Sequence, residues 1–328
     1  MKYQFVALGD IVTDAFIKLK EGVHVENETT GKELCLRFGA KLEYEDVTVV
    51  PAVGNAANAA VSAHRLGLGT SLVTDIGDDD FGKEKLRALT EEGLDTSFVE
   101  VHPGMQSNYH YVLRFGPERT ILIKHHQYPY AIPSFEEAPE WIYFSSVGEH
   151  GLQYHHELAH YCREHGVKLA FQPGSFQISL GVEKIKDIYE ATEIFFCNKE
   201  EAQEITGEKT KDIPTLIEAV RALGPKIAVV TDGPAGAFAS DGTGTWRVPM
   251  YPDPAPPVDR TGAGDSFSSC VTSMLIAGMP LPDALIRGPI NSMSVVQHIG
   301  AQKGLLTRAQ IEQYLKDAPS DYVLEQVA

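Results

Sequence analysis

Cysteine is scarce in this 328-residue chain, and its four copies, Cys35, Cys162, Cys197 and Cys270, stand far apart with no C-x-x-C pair. That spacing excludes a disulfide framework and a zinc ribbon, and single buried thiols in a reducing cytosol are the expectation. Long hydrophobic runs are missing as well. The composition is 43% hydrophobic, yet no run approaches the roughly 20 apolar residues that span a bilayer, so no membrane partner is expected. Met1-Lys2-Tyr3-Gln4-Phe5-Val6 leads straight into a strand-like segment without an apolar stretch or a small-residue cleavage site. No secretory leader is expected, and the sequon Asn27-Glu28-Thr29 then carries no glycan expectation. Positive charge is short: 28 basic residues face 45 acidic ones, for a net charge of −17. A nucleic-acid partner is therefore disfavoured. Two phosphate motifs are also missing, since the chain has no G-x-x-x-x-G-K-[ST] and no G-x-G-x-x-G after its first strand-like run.

The organisation is legible in the hydrophobic periods. Tyr3 to Asp10 reads as a buried strand, Asn55 to Leu66 as an Ala-rich helix and Ser71 to Ile76 as a strand before a helix from Phe81. Trp141–Ser145, Lys168–Phe171, Ile194–Cys197 and Ile227–Thr231 are short apolar runs, separated by helical stretches near 153–165, 182–190, 199–206 and 214–223. Such alternation predicts an α/β fold with a parallel sheet covered by helices. Two other pieces alternate like half-exposed strands. Residues 15–50 form one, and the second, 105–128, reads as a hairpin around Gly116-Pro117-Glu118. Together they read as one small sheet inserted twice into a body of residues 1–14, 51–104 and 129–328.

The most informative run is Val258-Asp259-Arg260-Thr261-Gly262-Ala263-Gly264-Asp265-Ser266-Phe267. It sets a small-residue turn directly before a helical run that Gly278 and Pro280 stop. Backbone N–H groups of Gly262, Ala263 and Gly264 can converge on an anion there. Asp265 would stand beside that anion as a general base, which is the minimum apparatus for moving a phosphoryl group onto a hydroxyl. Other polar groups follow strand-like runs, where open α/β sheets bind ligands: Asp14, then Asn198 and Glu201, then Thr231-Asp232-Gly233. One motif points elsewhere. His156-Glu157-Leu158-Ala159-His160 fits the zinc-binding H-E-x-x-H, but it falls where the fold needs a covering helix, so a solvated helix face is expected.

On these residues the chain resembles the ribokinase-like (PfkB) family of sugar and nucleoside kinases. Asp259-Arg260-Thr261-Gly262-Ala263-Gly264-Asp265 matches the family's D-x-x-G-A-G-D. Val53-Gly54-Asn55-Ala56-Ala57-Asn58 matches its G-G-N-x-x-N, and Asn198-Lys199-Glu200-Glu201 its N-x-x-E. The resemblance implies a Rossmann-like three-layer α/β/α body with a β-sheet lid that pairs two copies, and ATP with Mg²⁺. It implies Asp265 as the base and Gly262, Ala263 and Gly264 as the anion hole. Asn198 and Glu201 would organise Mg²⁺ largely through water. Thr231 and Gly233 would touch the nucleotide, with Asn291 near the adenine. Asp14, Gly54 and Asn58 would touch the acceptor's hydroxyls, and Asp259 with the loop 300–304 would resemble a monovalent-cation (K⁺) site. Two departures bear on the pocket. Val53 stands where the family has Gly, which would add bulk beside the acceptor, and Gln172-Pro173 replaces the usual Asp-Pro.

A small sugar is the expected acceptor. A nucleoside is the alternative, with Phe38, Tyr44, Tyr109 or Tyr111 available to stack on a base. A sugar phosphate would need a cationic cluster in the lid, and sequence alone does not put Arg37, Lys41, Arg114, Arg119 and Lys124 on one face. A 2-keto-3-deoxy sugar acid would need Arg114 or Arg119 to face its carboxylate. A non-catalytic sugar-binding regulator would be expected to have lost Asp265.

Overall fold

The computed structural model describes residues 2–20, 23–27, 31–115 and 118–327. Seven parallel strands form the heart of the main sheet, in the order Val99–His102, Thr70–Gly77, Phe5–Leu8, Trp141–Phe144, Lys168–Phe171, Thr192–Asn198 and Ile227–Thr231. Ala237–Ser240, Thr245–Val248 and Glu325–Gln326 continue it as antiparallel strands. Every residue of Phe5–Leu8 and Trp141–Phe144 is buried, as strands covered on both faces require. Successive side chains feed opposite cores. Phe5, Ala7 and Tyr143 join one core with the helices Asn55–Arg65, Ala263–Ile276 and Gly288–Val295. Val6, Leu8 and Phe144 join the other with Leu152–His165, Lys199–Thr206 and Ile213–Arg221. Each large apolar side chain buried this way contributes about 1.5–3 kcal/mol. The result is the three-layer α/β/α body.

A second, four-stranded sheet stands apart from the first, in the order Tyr44–Val53, Val12–Leu19, Tyr109–Phe115 and Glu118–Leu122. Its two central strands, far apart in sequence, run parallel, and each outer strand is antiparallel to its neighbour. Its strands run past the limits expected at 14/15 and 50/51, because Val12–Leu19 and Tyr44–Val53 each cross them without a break. Val23–Asn27 and Gly31–Cys35 pair separately as a two-stranded hairpin. Cys35 there is exposed, unlike the other three cysteines, because it ends that hairpin rather than entering either core. Glu28 and Thr29 of the sequon, and Gly116 and Pro117 of the expected turn, lie outside the described residues. The expected helix at 182–190 is broken into a single turn at Val182–Lys184 and the helix Lys186–Ala191.

One helix pair positions the site. Ala56, Ala57, Ala59 and Ala60 are fully buried on Asn55–Arg65, which packs against Ala263–Ile276. That second helix offers Ser266, Ser269 and Ser273 instead of large side chains. Their buried hydroxyls are satisfied by the helix itself, Ser269 donating to the carbonyl of Asp265 at 2.6 Å and Ser273 to that of Ser269 at 2.7 Å. Small residues on both sides let the two helix beginnings approach closely.

Candidate active site

The close approach delivers two amides to one carboxylate. Asp265 is buried in the first turn of Ala263–Ile276. Asn55 Nδ2 donates to its Oδ1 at 2.9 Å and Asn58 Nδ2 to its Oδ2 at 2.8 Å. Gln172 Nε2 donates to Oδ1 at 3.1 Å. Burial raises the Asp265 pKa, while the hydrogen bonds from Asn58, Gln172 and Asn55 favour the ionised form. The substitution at Gln172 therefore has a physical role, because an amide donates where an aspartate would repel. Its carbonyl is held by Tyr143 and by Ser268 Oγ at 2.7 Å, which fixes the NH₂ toward Asp265. Sequence reasoning gave Asn55 and Gln172 no contact with this carboxylate, since both reach it only through tertiary packing.

Beside Asp265 the chain turns at Gly262, the helix N-cap, with φ 80°. A Cβ there would lie 2.2 Å from that of Ala301, so only glycine fits. Among the described residues, the N–H groups of Gly262, Gly264 and Asp265 have no protein acceptor, while that of Ala263 turns back to Arg260 O at 3.4 Å. Unpaired N–H groups at a helix N-terminus favour an anion.

These groups open into one cleft of about 600 Å³. Asn198 and Glu201 line it, joined as a reciprocal cap: Glu201 N donates to Asn198 Oδ1 and Asn198 N to Glu201 Oε2, both at 2.8 Å. Burial raises the Glu201 pKa, and the neighbouring charges of Glu200, Glu204 and Asp265 add to the rise. A partly buried acid facing another acid across a cleft fits Mg²⁺, which binds through one or two carboxylates and keeps several waters. An apolar slot of about 230 Å³ adjoins the turn, bounded by Thr231, Gly233, Ala263, Gly264, Pro289 and Met293 among others.

The other end of the cleft is built around Asp10 and Asp14. Gly54 and Asn58 line it too. Oδ1 of Asp14 is buried and accepts no hydrogen bond, with His110 Nδ1 3.5 Å away as an ion-pair contact only, which leaves an acceptor for a ligand. Two histidines that carried no sequence signal join the carboxylates. His125 Nδ1 lies 2.8 Å from Asp10 Oδ2, its Nε2 lies 3.3 Å from His110 Nε2, and His110 Nδ1 lies 3.5 Å from Asp14 Oδ1. Tyr130 also donates to Asp10, at 2.9 Å. The row links the two carboxylates through two imidazoles, whose ring nitrogens can donate or accept.

The structure places three sets of residues differently from expectation, and it details the surroundings of Asp259. Asn291 is fully buried and saturated: it donates to Ser266 O at 3.0 Å and accepts from Leu306 N at 3.0 Å. It faces the core, and Pro289, Ser292 and Met293 of the same helix line the slot instead. The carboxylate of Asp259 accepts from Thr261 N, Thr261 Oγ1 and Gly300 N at 2.8–3.1 Å. These bonds make Asp259 a staple of the loop. Val53 is buried at the end of its strand, does not line the cleft, and leaves the positive φ (54°) to Ala52. Phe38, Tyr44, Tyr109 and Tyr111 do not line it either, because Tyr111 faces outward and Tyr109 packs on Phe81 with ring centres 4.6 Å apart. His156 meets Asp187 at 2.8 Å and His160 lies 3.5 Å from Glu164, with no third metal ligand converging among the described residues.

A buried carboxylate beside unpaired helix amides, in a cleft with a polar acceptor end, is the equipment of phosphoryl transfer to a hydroxyl. The chain is a phosphotransferase with an alcohol group as acceptor. It matches the pfkB family of carbohydrate kinases over residues 29–308, and it belongs to that family. It is 29% identical over 268 residues to ribokinase from Bacillus subtilis, covering 80% of this chain and 87% of that one. Cytidine kinase from Thermococcus kodakarensis is 29% identical over 256 residues, covering 75% of this chain and 88% of that one. The structure of Arabidopsis thaliana ribokinase complexed with ribose and ATP has the same fold, with a TM-score of 0.79 at 18% identity, covering 96% of this chain and 99% of that one. The family implies ATP as phosphoryl donor, typically with Mg²⁺. Among the described residues no helix is long and apolar enough to cross a membrane.

Proposed function

We propose that this kinase transfers the γ-phosphoryl group of ATP to a hydroxyl of a small sugar, with Asp265 as the base. The carrying observation is the Asp265 carboxylate, buried, gripped by three amides and adjacent to unpaired N–H groups of its own helix. Asp265 takes the proton from the acceptor hydroxyl, and the freed oxygen attacks the phosphorus in line. The N–H groups of Gly262 and Gly264 stabilise the charge on the transferring group. Mg²⁺, organised by Glu201 and Asn198, would neutralise phosphate charge when bound. Thr231 and Gly233 contact the nucleotide, whose base fits the apolar slot. Asp14 and Asn58 receive the acceptor's hydroxyls beside Gly54, and the unpartnered Asp14 oxygen supports that role.

The second sheet serves as lid. Val47, Val49, Tyr111 and Leu122 are exposed on its outer face, which supports pairing of two copies there. A nucleoside acceptor is the second reading, supported by the similarity to a cytidine kinase. The absence of Phe38, Tyr44, Tyr109 and Tyr111 from the cleft weighs against it. The test is ADP release from ATP across pentoses, hexoses and nucleosides. Turnover of a neutral or substituted sugar supports the reading. ADP release with nucleosides alone moves the assignment to the second reading, and none with any acceptor favours a binding regulator.

A further inference from the structure

The register of the second sheet places its charges in rows. Asp14 pairs with His110; two residues on, Phe16 pairs with Val112 and Val112 with Ile121; two further, Lys18 pairs with Arg114 and Arg114 with Arg119. Period two puts all three rows on one face. Asp14, His110, Ile121 and Arg119 line the cleft, so this face looks onto it. The sheet therefore carries three cations side by side along its cleft-facing surface.

Like charges directly opposite one another destabilise a sheet. Asp46 pairs with Lys18 on its other side and balances that end of the row, which leaves Arg114 facing Arg119. The chain as a whole has acid to spare, with a net charge of −17. Four arginines elsewhere are matched, Arg65 with Glu92, Arg221 with Glu218, Arg247 with Glu325 and Arg287 with Glu312, whereas Arg260, which also lines the cleft, makes no ion pair among the described residues. In the row itself Lys18 meets Glu45, and Arg114 donates to the carbonyl of Val258 at 3.0 Å. Arg119 makes no hydrogen bond or ion pair among the described residues, although it lies in a cleft that also holds Asp10, Asp14 and Asp265.

We infer that the acceptor is a polyol bearing an acidic group, a carboxylate or a phosphate, and that Arg119 reads that group from the second sheet. The inference rests on the kinase reading above and narrows its substrate class. A guanidinium suits the task, because its fork of donors matches either oxyanion. The hydroxyl to be phosphorylated would lie at Asp265, with other hydroxyls at Asp14 and Asn58, and the acid at the Arg119 rim.

Matched acceptors test this: glucose, gluconate and glucose 6-phosphate, and ribose, ribonate and ribose 5-phosphate, each assayed by ADP release. The expected result is a higher kcat/KM for an acidic member than for its neutral parent. Which acid is preferred distinguishes carboxylate from phosphate. In Arg119→Gln the acid-to-neutral ratio should fall about ten- to hundredfold, the size of a lost charge-assisted hydrogen bond. Arg308→Gln, at an exposed arginine remote from the cleft, should leave the ratio unchanged. Wild-type preference for the neutral sugars overturns the inference while leaving the kinase reading intact. So does an equal loss for every acceptor with a raised KM for ATP, since that outcome assigns Arg119 to the nucleotide. ADP release with none of the six, in a protein that binds ATP, sinks the kinase reading and this inference with it.

Discussion

At the end of the cleft proposed for phosphoryl transfer, the proposed anion-binding turn and base occupy the four consecutive residues Gly262 to Asp265, and Asn198 and Glu201 are one helical turn apart. At the proposed acceptor end, Asp10, Asp14, His110, Arg119 and His125 come from two distant stretches, 10–14 and 110–125, and meet because Val12–Leu19 pairs in parallel with Tyr109–Phe115. On the proposed reading, local sequence builds the chemistry and long-range pairing builds the selectivity. The histidines make the same point. His156 and His160 form a written motif and end on a helix surface with separate carboxylate neighbours. His110 and His125 form no motif and end 3.3 Å apart.

If the two ends divide labour this way, mutations should divide too. Asp265→Asn should cost the most, about 10²–10⁴-fold in kcat, while calorimetry still detects ATP binding. Near-normal turnover would break the assignment. Burial raises the Asp265 pKa, and a base works only when ionised. Wild-type activity should therefore fall on acidification at a higher pH than an ordinary aspartate would impose, which a kcat/KM profile will read. Glu201→Gln should come next, raising the Mg²⁺ concentration for half-maximal rate about ten- to hundredfold with little change in acceptor KM.

At the other end, His125→Asn should raise acceptor KM about tenfold and leave the KM for ATP in place, because it cuts the row from Asp10 to Asp14. A matching rise in both constants would erase the distinction between the ends. A separate expectation concerns stability beneath the second sheet, away from both ends of the cleft. Lys85 is buried, donates to Asn108 O at 3.0 Å, and desolvation lowers its pKa to about 8. Its folded value lies below the ordinary 10.5, so charging it opposes folding. Stability should rise as pH climbs from about 8 toward 10.5, by roughly 3 kcal/mol at most, and Lys85→Met should lack that rise in denaturant melts.

The body was legible because parallel strands buried on both faces appear as bare apolar runs, such as Trp141–Phe144. The signature turn was legible because Gly262 has no substitute beside Ala301. Asn291 misled because its helix has one face toward the nucleotide slot and another toward the core, and sequence does not give the rotation. Val53 misled by one residue, since the left-handed step falls on Ala52. His110 and His125 gave no signal, and Gln172 showed only as a replaced aspartate, because each works through a partner distant in sequence.

Gly54 joins these two worlds. It alone separates the strand Tyr44–Val53 of the second sheet from the helix Asn55–Arg65, with φ 111° and room for no side chain nearer than 3.0 Å to Asp10 O. The first side chain beyond it, Asn55, already grips Asp265, and Asn58 follows within a turn. A tilt of the small sheet would thus reach the base through a single residue. Whatever fixes the orientation of that one residue therefore fixes, at the same time, where the second sheet begins and how two of the three amides meet Asp265.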